Sequence, residues 1–198
     1  MLEFDAASHT YRLDGQRIVS VTTILDRYMD FDGIPLGALE GARIRGQFVH
    51  EACNLLVRDE LAWDSLDPQL APYIRGAQRF LDESGLVVIG SEERVYSKTL
   101  RVAGTLDLRG EMRRQRWLLD WKATSQFPIT VGPQTAAYDR LYRDMHGGRE
   151  YRRACVLLKP DDYKLFVLDD RRDLNTFISA VNCYNYFWSK QDARKKAA

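Results

Sequence analysis

Three stretches in the middle of the chain decide how it folds: LVVIGSEERVYS (86–97), LRVAGTLDLRGEM (100–112) and RWLLDWKAT (116–124). Apolar and polar residues alternate in each with a period of two, and short polar turns join them, which predicts an antiparallel β-meander. Within the meander the chemistry concentrates at Gly104-Thr105-Leu106-Asp107 and Leu118-Leu119-Asp120-Trp121-Lys122. Alternation puts Asp120 and Lys122 on one face and Trp121 on the other. A hairpin turning near 111–115 would set Asp107 close to Asp120 across the ladder, so that two carboxylates and an ammonium crowd one point at the sheet's edge.

Outward from the meander the periodicity changes. Residues 2–25 alternate around Asp14-Gly15 and read as an N-terminal hairpin, after which Ser20 or Thr22 caps a short helix through Tyr28. FDGIPL (31–36) is a loop. Helical spacing follows over 36–59, with Ile44, Phe48, Ala52 and Leu55 on one face, and over 68–84, with Tyr73, Ala77, Phe80 and Leu81 as the apolar stripe and Gly85 as the stop. A helix over 131–145 opens at Gly132-Pro133 and closes at Gly147-Gly148. Two strands, RRACVLLKP (152–160) and YKLFVLDD (163–170), flank a Pro160-Asp161 turn. A last helix over 174–191 carries Phe177, Val181, Tyr184 and Trp188, and the tail from 190 is frayed. The expectation is one α/β domain spanning 1–198, its central mixed β-sheet (an antiparallel meander plus a later strand) flanked by helices.

Bulk properties narrow the class. The chain has 198 residues, 45% hydrophobic and 29% charged, as in a folded globular domain rather than a disordered one. Its 29 Lys and Arg against 28 Asp and Glu leave a net charge of +1, which argues against a simple polybasic nucleic-acid binder. No apolar run approaches the roughly 20 residues of a membrane span, and the opening residues have neither the basic start nor the apolar stretch of a signal peptide. Cys53, Cys155 and Cys183 form no CxxC pair and read as buried free thiols of a cytoplasmic, non-secreted protein.

Charge is uneven along the chain. Between Arg94 and Lys122 there are eight basic residues, Arg101 among them, against three acidic ones, two of which are Asp107 and Asp120. Arg140, Arg143, Arg149, Arg152 and Arg153 form a second basic cluster. Basic clusters beside a carboxylate pair suit phosphate tracking. The carboxylate pair itself calls for a cation, and hard oxygen ligands in small number suit Mg²⁺ or Mn²⁺. Lys122, one pleat away, is placed to orient or deprotonate a water. Thr124, at the strand end, is a turn hydroxyl that could meet a phosphate or water. A second carboxylate–aromatic–lysine triplet, Asp162-Tyr163-Lys164, lacks an upstream glycine-bounded strand with an aspartate and reads as a solvated turn. Tyr11, Tyr28, Phe31 and Trp63 offer rings for stacking on single strands but are by default core residues.

Taken in order, these motifs resemble the PD-(D/E)XK nucleases, specifically the RecB-type exonuclease branch and its phage-type members. Arg45-Gly46-Gln47-Phe48-Val49-His50 is similar to the family's glycine-to-histidine helix motif. Glu92 or Glu93 falls where the family often has an acidic residue, Glu92 being favoured because Glu93 shares parity with Val95. Gln134-Thr135-Ala136-Ala137-Tyr138 is similar to the branch's glutamine–tyrosine motif. The resemblance covers residues 8–158 and implies a restriction-endonuclease-like core and an Mg²⁺- or Mn²⁺-dependent deoxyribonuclease, an exonuclease in recombination, repair or phage DNA processing. It implies metal ligands at His50, Asp107 and Asp120 with the Trp121 carbonyl, catalytic roles for Asp107, Asp120, Lys122 and Glu92, and substrate contacts from Gln134, Tyr138, Thr124, Arg45 and Arg101. An iron–sulfur cluster is not expected, because cluster-bearing members need four cysteines. Expected partners are DNA, as double-stranded ends or single strands, and a recombination or replication protein, with a homo-oligomer left open. The rival readings are a nicking or RNA-processing endonuclease of the same fold and a non-catalytic DNA- or partner-binding protein.

Overall fold

A computed structural model describes residues 1–5, 8–29, 35–124 and 127–188. The expected meander is its centre: β4 (Val87–Ser97), β5 (Val102–Met112) and β6 (Gln115–Lys122) pair antiparallel in sequence order. The β5–β6 turn is tight, with Arg113 and Arg114 both at positive φ, as a two-residue hairpin of this twist requires. The N-terminal segment forms three strands rather than a two-stranded hairpin, β1 (Leu2–Asp5), β2 (Thr10–Leu13) and β3 (Gln16–Ser20), turning at Asp14-Gly15. β3 joins the sheet parallel to β5. β7 (Arg152–Lys159) lies parallel to β6, and β8 (Asp162–Leu168) closes the far edge, giving one mixed eight-stranded sheet.

Helices cover both faces. α2 (Leu36–Val57) and α3 (Ala71–Ser84) enclose one core with Leu108, Leu119, Trp121, Val156 and Leu158. On the other face α1 (Val21–Leu25), α4 (Val131–His146) and α5 (Asp173–Cys183) pack over Val95, Val102, Leu106 and Leu118. Helix boundaries follow local chemistry. Ser20 Oγ accepts from the Thr23 N–H at 3.0 Å and so caps α1, and Gly85 at φ 67° stops α3 in the left-handed region that suits glycine.

Three expectations need correction. The apolar face assigned to α2 is wrong in its first half: Ile44 is 44% and Phe48 54% exposed, while Val49, Ala52 and Cys53 are buried. Among the described residues no other element covers most of 37–48, so periodicity there describes a face without a described partner. Cys183 is exposed, although Cys53 and Cys155 are buried as expected. α5 ends at Cys183 and passes into a wider-wound turn over Tyr184–Trp188. The 31–34 part of the expected loop, with Phe31, and the tail from 189 lie outside the described residues. Among the described residues no helix is long and apolar enough to cross a membrane.

Candidate active site at a fork in the sheet

β5 is longer than its neighbours on one edge. β4 follows it along one side, so β3 and β6 must share the other: β3 pairs at Val102 and Ala103, and β6 only from Leu108 to Met112. Between those pairings the sheet forks, and Asp107 sits where the β5–β6 ladder ends. Its Oδ2 accepts the Trp121 N–H at 2.8 Å, satisfying a backbone donor at the fork. Strand alternation also slips here. Leu106 belongs to the core under α4 and Leu108, two residues on, to the core under α2 and α3, although positions two apart should share a face. Opposite Asp107, Glu92 has φ 50°, an uncommon conformation for a residue with a side chain, and the two irregularities face each other.

Flanking pairs Ser91↔Leu108 and Glu93↔Leu106 place Glu92 opposite Asp107, and Leu108↔Leu119 places Asp120 one step beyond. Three carboxylates therefore line up across three strands, followed by Cys155 on β7, which is in register with Asp120. His50 reaches the row from α2, with Nδ1 3.3 Å from Asp107 Oδ2. Ligand atoms of His50, Glu92 and Asp107 all lie within 4.8 Å of one another. From the opposite face, Gln134 Nε2 on α4 donates to Asp120 Oδ1 at 2.9 Å and to the Tyr138 hydroxyl at 3.3 Å. Lys122 Nζ stands 2.7 Å from the buried Asp120 Oδ2 and forms an ion pair with it.

The motif residues have separate physical tasks. A Cβ on Gly104 would meet Tyr138 Cε1 at 2.5 Å, so glycine is what lets that ring lie against β5. Thr105 Oγ1 is 2.8 Å from the Tyr11 hydroxyl, Leu106 fills the core, and Asp107 faces the fork. Trp121 packs edge-on against Phe80 at 5.6 Å, away from Asp120 and Lys122, as alternation requires.

Crowding shows in the titration of these groups. Burial pushes Glu92 up to about 7, with Asp107 adding repulsion. Burial likewise pushes Asp120 up to about 6 despite the Lys122 ammonium. Burial would also raise Asp107, but His50, Lys122 and the Trp121 N–H outweigh it and hold the carboxyl below its ordinary range. For His50 and Lys122 burial favours the neutral form, and the carboxylates overturn it, so both are raised.

The sequence-based site residues divide accordingly. His50, Glu92, Asp107, Asp120, Lys122, Gln134 and Tyr138 come together at the fork, in the interior of the sheet rather than at its edge. Among the described residues the group that could hold a metal ion is His50, Glu92 and Asp107, whereas Asp120 is turned to Lys122 and Gln134. Glu93 instead binds Arg109, with Oε1 2.8 Å from Nη2. Thr124 lies exposed past the end of β6, and Arg45 is exposed on the uncovered half of α2. Arg101 is in the β4–β5 turn bonded to Gln16 at 2.9 Å, six residues up the strand from Asp107, about 20 Å at the usual rise. The second basic cluster is largely engaged elsewhere: Arg140 with Asp144, Arg143 with Asp139, and Arg153 with Asp173. Sequence reasoning missed Asn54 and Ser91, whose 2.7 Å hydrogen bond ties α2 to β4 beside Glu92. The spacing of Asn54 from His50, one helical turn, was the available signal.

No family model matches the sequence, and no curated protein matches it. Among solved structures, the crystal structure of SSO0001 is similar over 82% of this chain and 82% of that one, at 12% sequence identity and a TM-score of 0.38.

Proposed function

We propose that the chain is a metal-dependent deoxyribonuclease of the PD-(D/E)XK superfamily, RecB-type exonuclease branch, acting on DNA in recombination, repair or phage DNA processing. The observation that carries this reading is the meeting of His50, Glu92 and Asp107 beside the Asp120–Lys122 ion pair. The donor set fits a divalent cation. Two carboxylates and one imidazole are in reach of a common point, and Glu92 and Asp120 are costly to ionise without added positive charge. His50, Glu92 and Asp107 would hold Mg²⁺ or Mn²⁺, with Asp120 turned toward the same fork. Such an ion, when bound, polarises a phosphoryl oxygen and makes a water more acidic.

The chain's own groups do the rest. Gln134 holds Asp120 Oδ1, so the other oxygen faces Lys122. Asp120 and Asp107 keep Lys122 an ammonium, which donates to water or a phosphate oxygen and offsets charge developing at phosphorus. It becomes a proton acceptor only when the Asp120 charge is drawn elsewhere. Tyr138, buried beside Gln134 with its hydroxyl held neutral by burial, lends that amide a fixed orientation.

The test is cleavage of linear duplex, single-stranded and closed circular DNA with Mg²⁺, Mn²⁺ or EDTA, by the parent chain and by Asp120→Asn and Lys122→Ala. Cleavage should require metal, spare the closed circle and fall in both variants. Undiminished cleavage by both variants would sink the assignment. Tight DNA binding without cleavage under any divalent metal would favour a non-catalytic binding protein.

A further inference from the structure

The sheet face that carries Glu92 continues, past Arg94 and Thr105, to an aromatic cluster that the hydrolytic site does not use. Arg94 is in register with Thr105, and Thr105 is bonded to Tyr11. Tyr11 touches Phe4 at 4.6 Å between ring centroids, and His9 meets the Phe4 ring edge-on at 5.2 Å and that of Tyr11 at 5.8 Å. The Arg94 guanidinium lies over Phe4 at 5.0 Å, with the arginine otherwise exposed. His9 is also exposed and sits at φ 47° in a turn pinned by Ser8 Oγ donating to Asp5 at 2.6 Å. Burial, with Arg43 from the exposed first half of α2 adding to it, holds the His9 imidazole below its usual range, and Arg43 also neighbours Asp26. Arg94 is two residues along β4 from Glu92, about 7 Å at the usual rise.

We infer that this face is a track for one strand of DNA, in which a base stacks on the Arg94 guanidinium seated on Phe4, with the His9 ring standing edge-on beside it, while Arg43 meets phosphate. A planar cation held over a ring is already oriented and offers a second flat surface to a base, and exposed arginine and aromatic groups suit an unpaired strand better than a duplex. The inference rests on the nuclease reading for its substrate, since it places an unpaired nucleotide beside the carboxylate row.

Binding measured in EDTA separates the two. Fluorescence anisotropy would compare labelled oligothymidylate with an abasic strand of equal length, which keeps the phosphates and lacks the bases. The parent chain should prefer the strand with bases by about tenfold. Arg94→Lys, which keeps the charge and loses the plane, should erase that preference and leave abasic binding unchanged. Phe4→Leu, which keeps an apolar side chain under the arginine, should do the same, with thermal melting confirming that it is folded. Arg43→Ala should weaken both strands alike. Equal affinity of the parent chain for the two strands, absence of binding to either, or a full preference in Arg94→Lys would overturn the track. A preference for bases without metal-dependent cleavage would keep the track and remove the nuclease reading, and cleavage without that preference would do the reverse.

Discussion

The chain contains two Asp–aromatic–Lys triplets on strands, and the sheet treats them in opposite ways. Asp120-Trp121-Lys122 is on β6, between β5 and β7, whereas Asp162-Tyr163-Lys164 opens the edge strand β8. Both aromatics pack edge-on against the same residue, Phe80 of α3, at 5.6 and 5.2 Å. The charged positions diverge. Asp120 is 1% exposed and shares its surroundings with Asp107, Lys122 and Gln134, whereas Asp162 is 57% exposed and pairs with Arg79 at 3.1 Å in solvent. One pattern thus gives a buried, crowded ion pair where strands diverge inside a sheet, and an ordinary surface ion pair where the sheet ends. Removal from water amplifies charge interactions, and position in the sheet decides that removal.

Four experiments would break or sharpen this contrast. The largest effect belongs to the charged positions: Asp120→Asn or Lys122→Ala should lower DNA cleavage by about 10²–10⁴-fold, while Asp162→Asn and Lys164→Ala leave the rate unchanged. Equal losses at both triplets in a nuclease assay would erase the distinction. Next, Phe80→Ala removes the ring that both aromatics share and opens a cavity under two strands. It should cost ~3–5 kcal/mol in urea unfolding.

A smaller, pH-dependent effect should appear only at the central site. Folding raises Glu92 from 4.5 to about 7, so the folded state holds that proton more tightly than the unfolded chain. Its contribution to stability is present below about pH 4.5 and is lost as pH rises through about 7, and Asp120 acts in the same sense. The thermal midpoint gained on adding Mn²⁺ should therefore be larger above about pH 7 than in mild acid. Glu92→Gln should raise the metal-free midpoint above about pH 7 and reduce the gain from Mn²⁺. Smallest of all, Asp162→Asn breaks an exposed ion pair and should change unfolding free energy by less than ~1 kcal/mol.

Much of the site was legible because alternation is a local property. Trp121 lies opposite Asp120 and Lys122, Gln134 and Tyr138 share a helix face, and the glycine of Gly104–Asp107 makes room for the Tyr138 ring. Where a pattern needed a partner to give it meaning, the reading failed. Ile44 and Phe48 fit the period of a buried face, but among the described residues nothing packs on that half of α2. The basic residues between Arg94 and Lys122 read as one cluster, yet Arg101 and Arg113 lie in turns at opposite ends of β5, and Arg109 is held by Glu93.

By itself, then, the sequence determined most of the elements and the order in which they run, because backbone preference and hydrophobic period act over a few residues. It also determined that the central triplet has an aspartate upstream and the second does not. Only the tertiary structure decided that Glu92 comes within reach of both His50 and Asp107. That choice depends on two irregular positions facing each other across β4 and β5, and on a ladder that stops at Leu108↔Leu119 so that Asp107 takes the Trp121 N–H. Register and strand divergence arise from pairing between distant segments, and no local period encodes them.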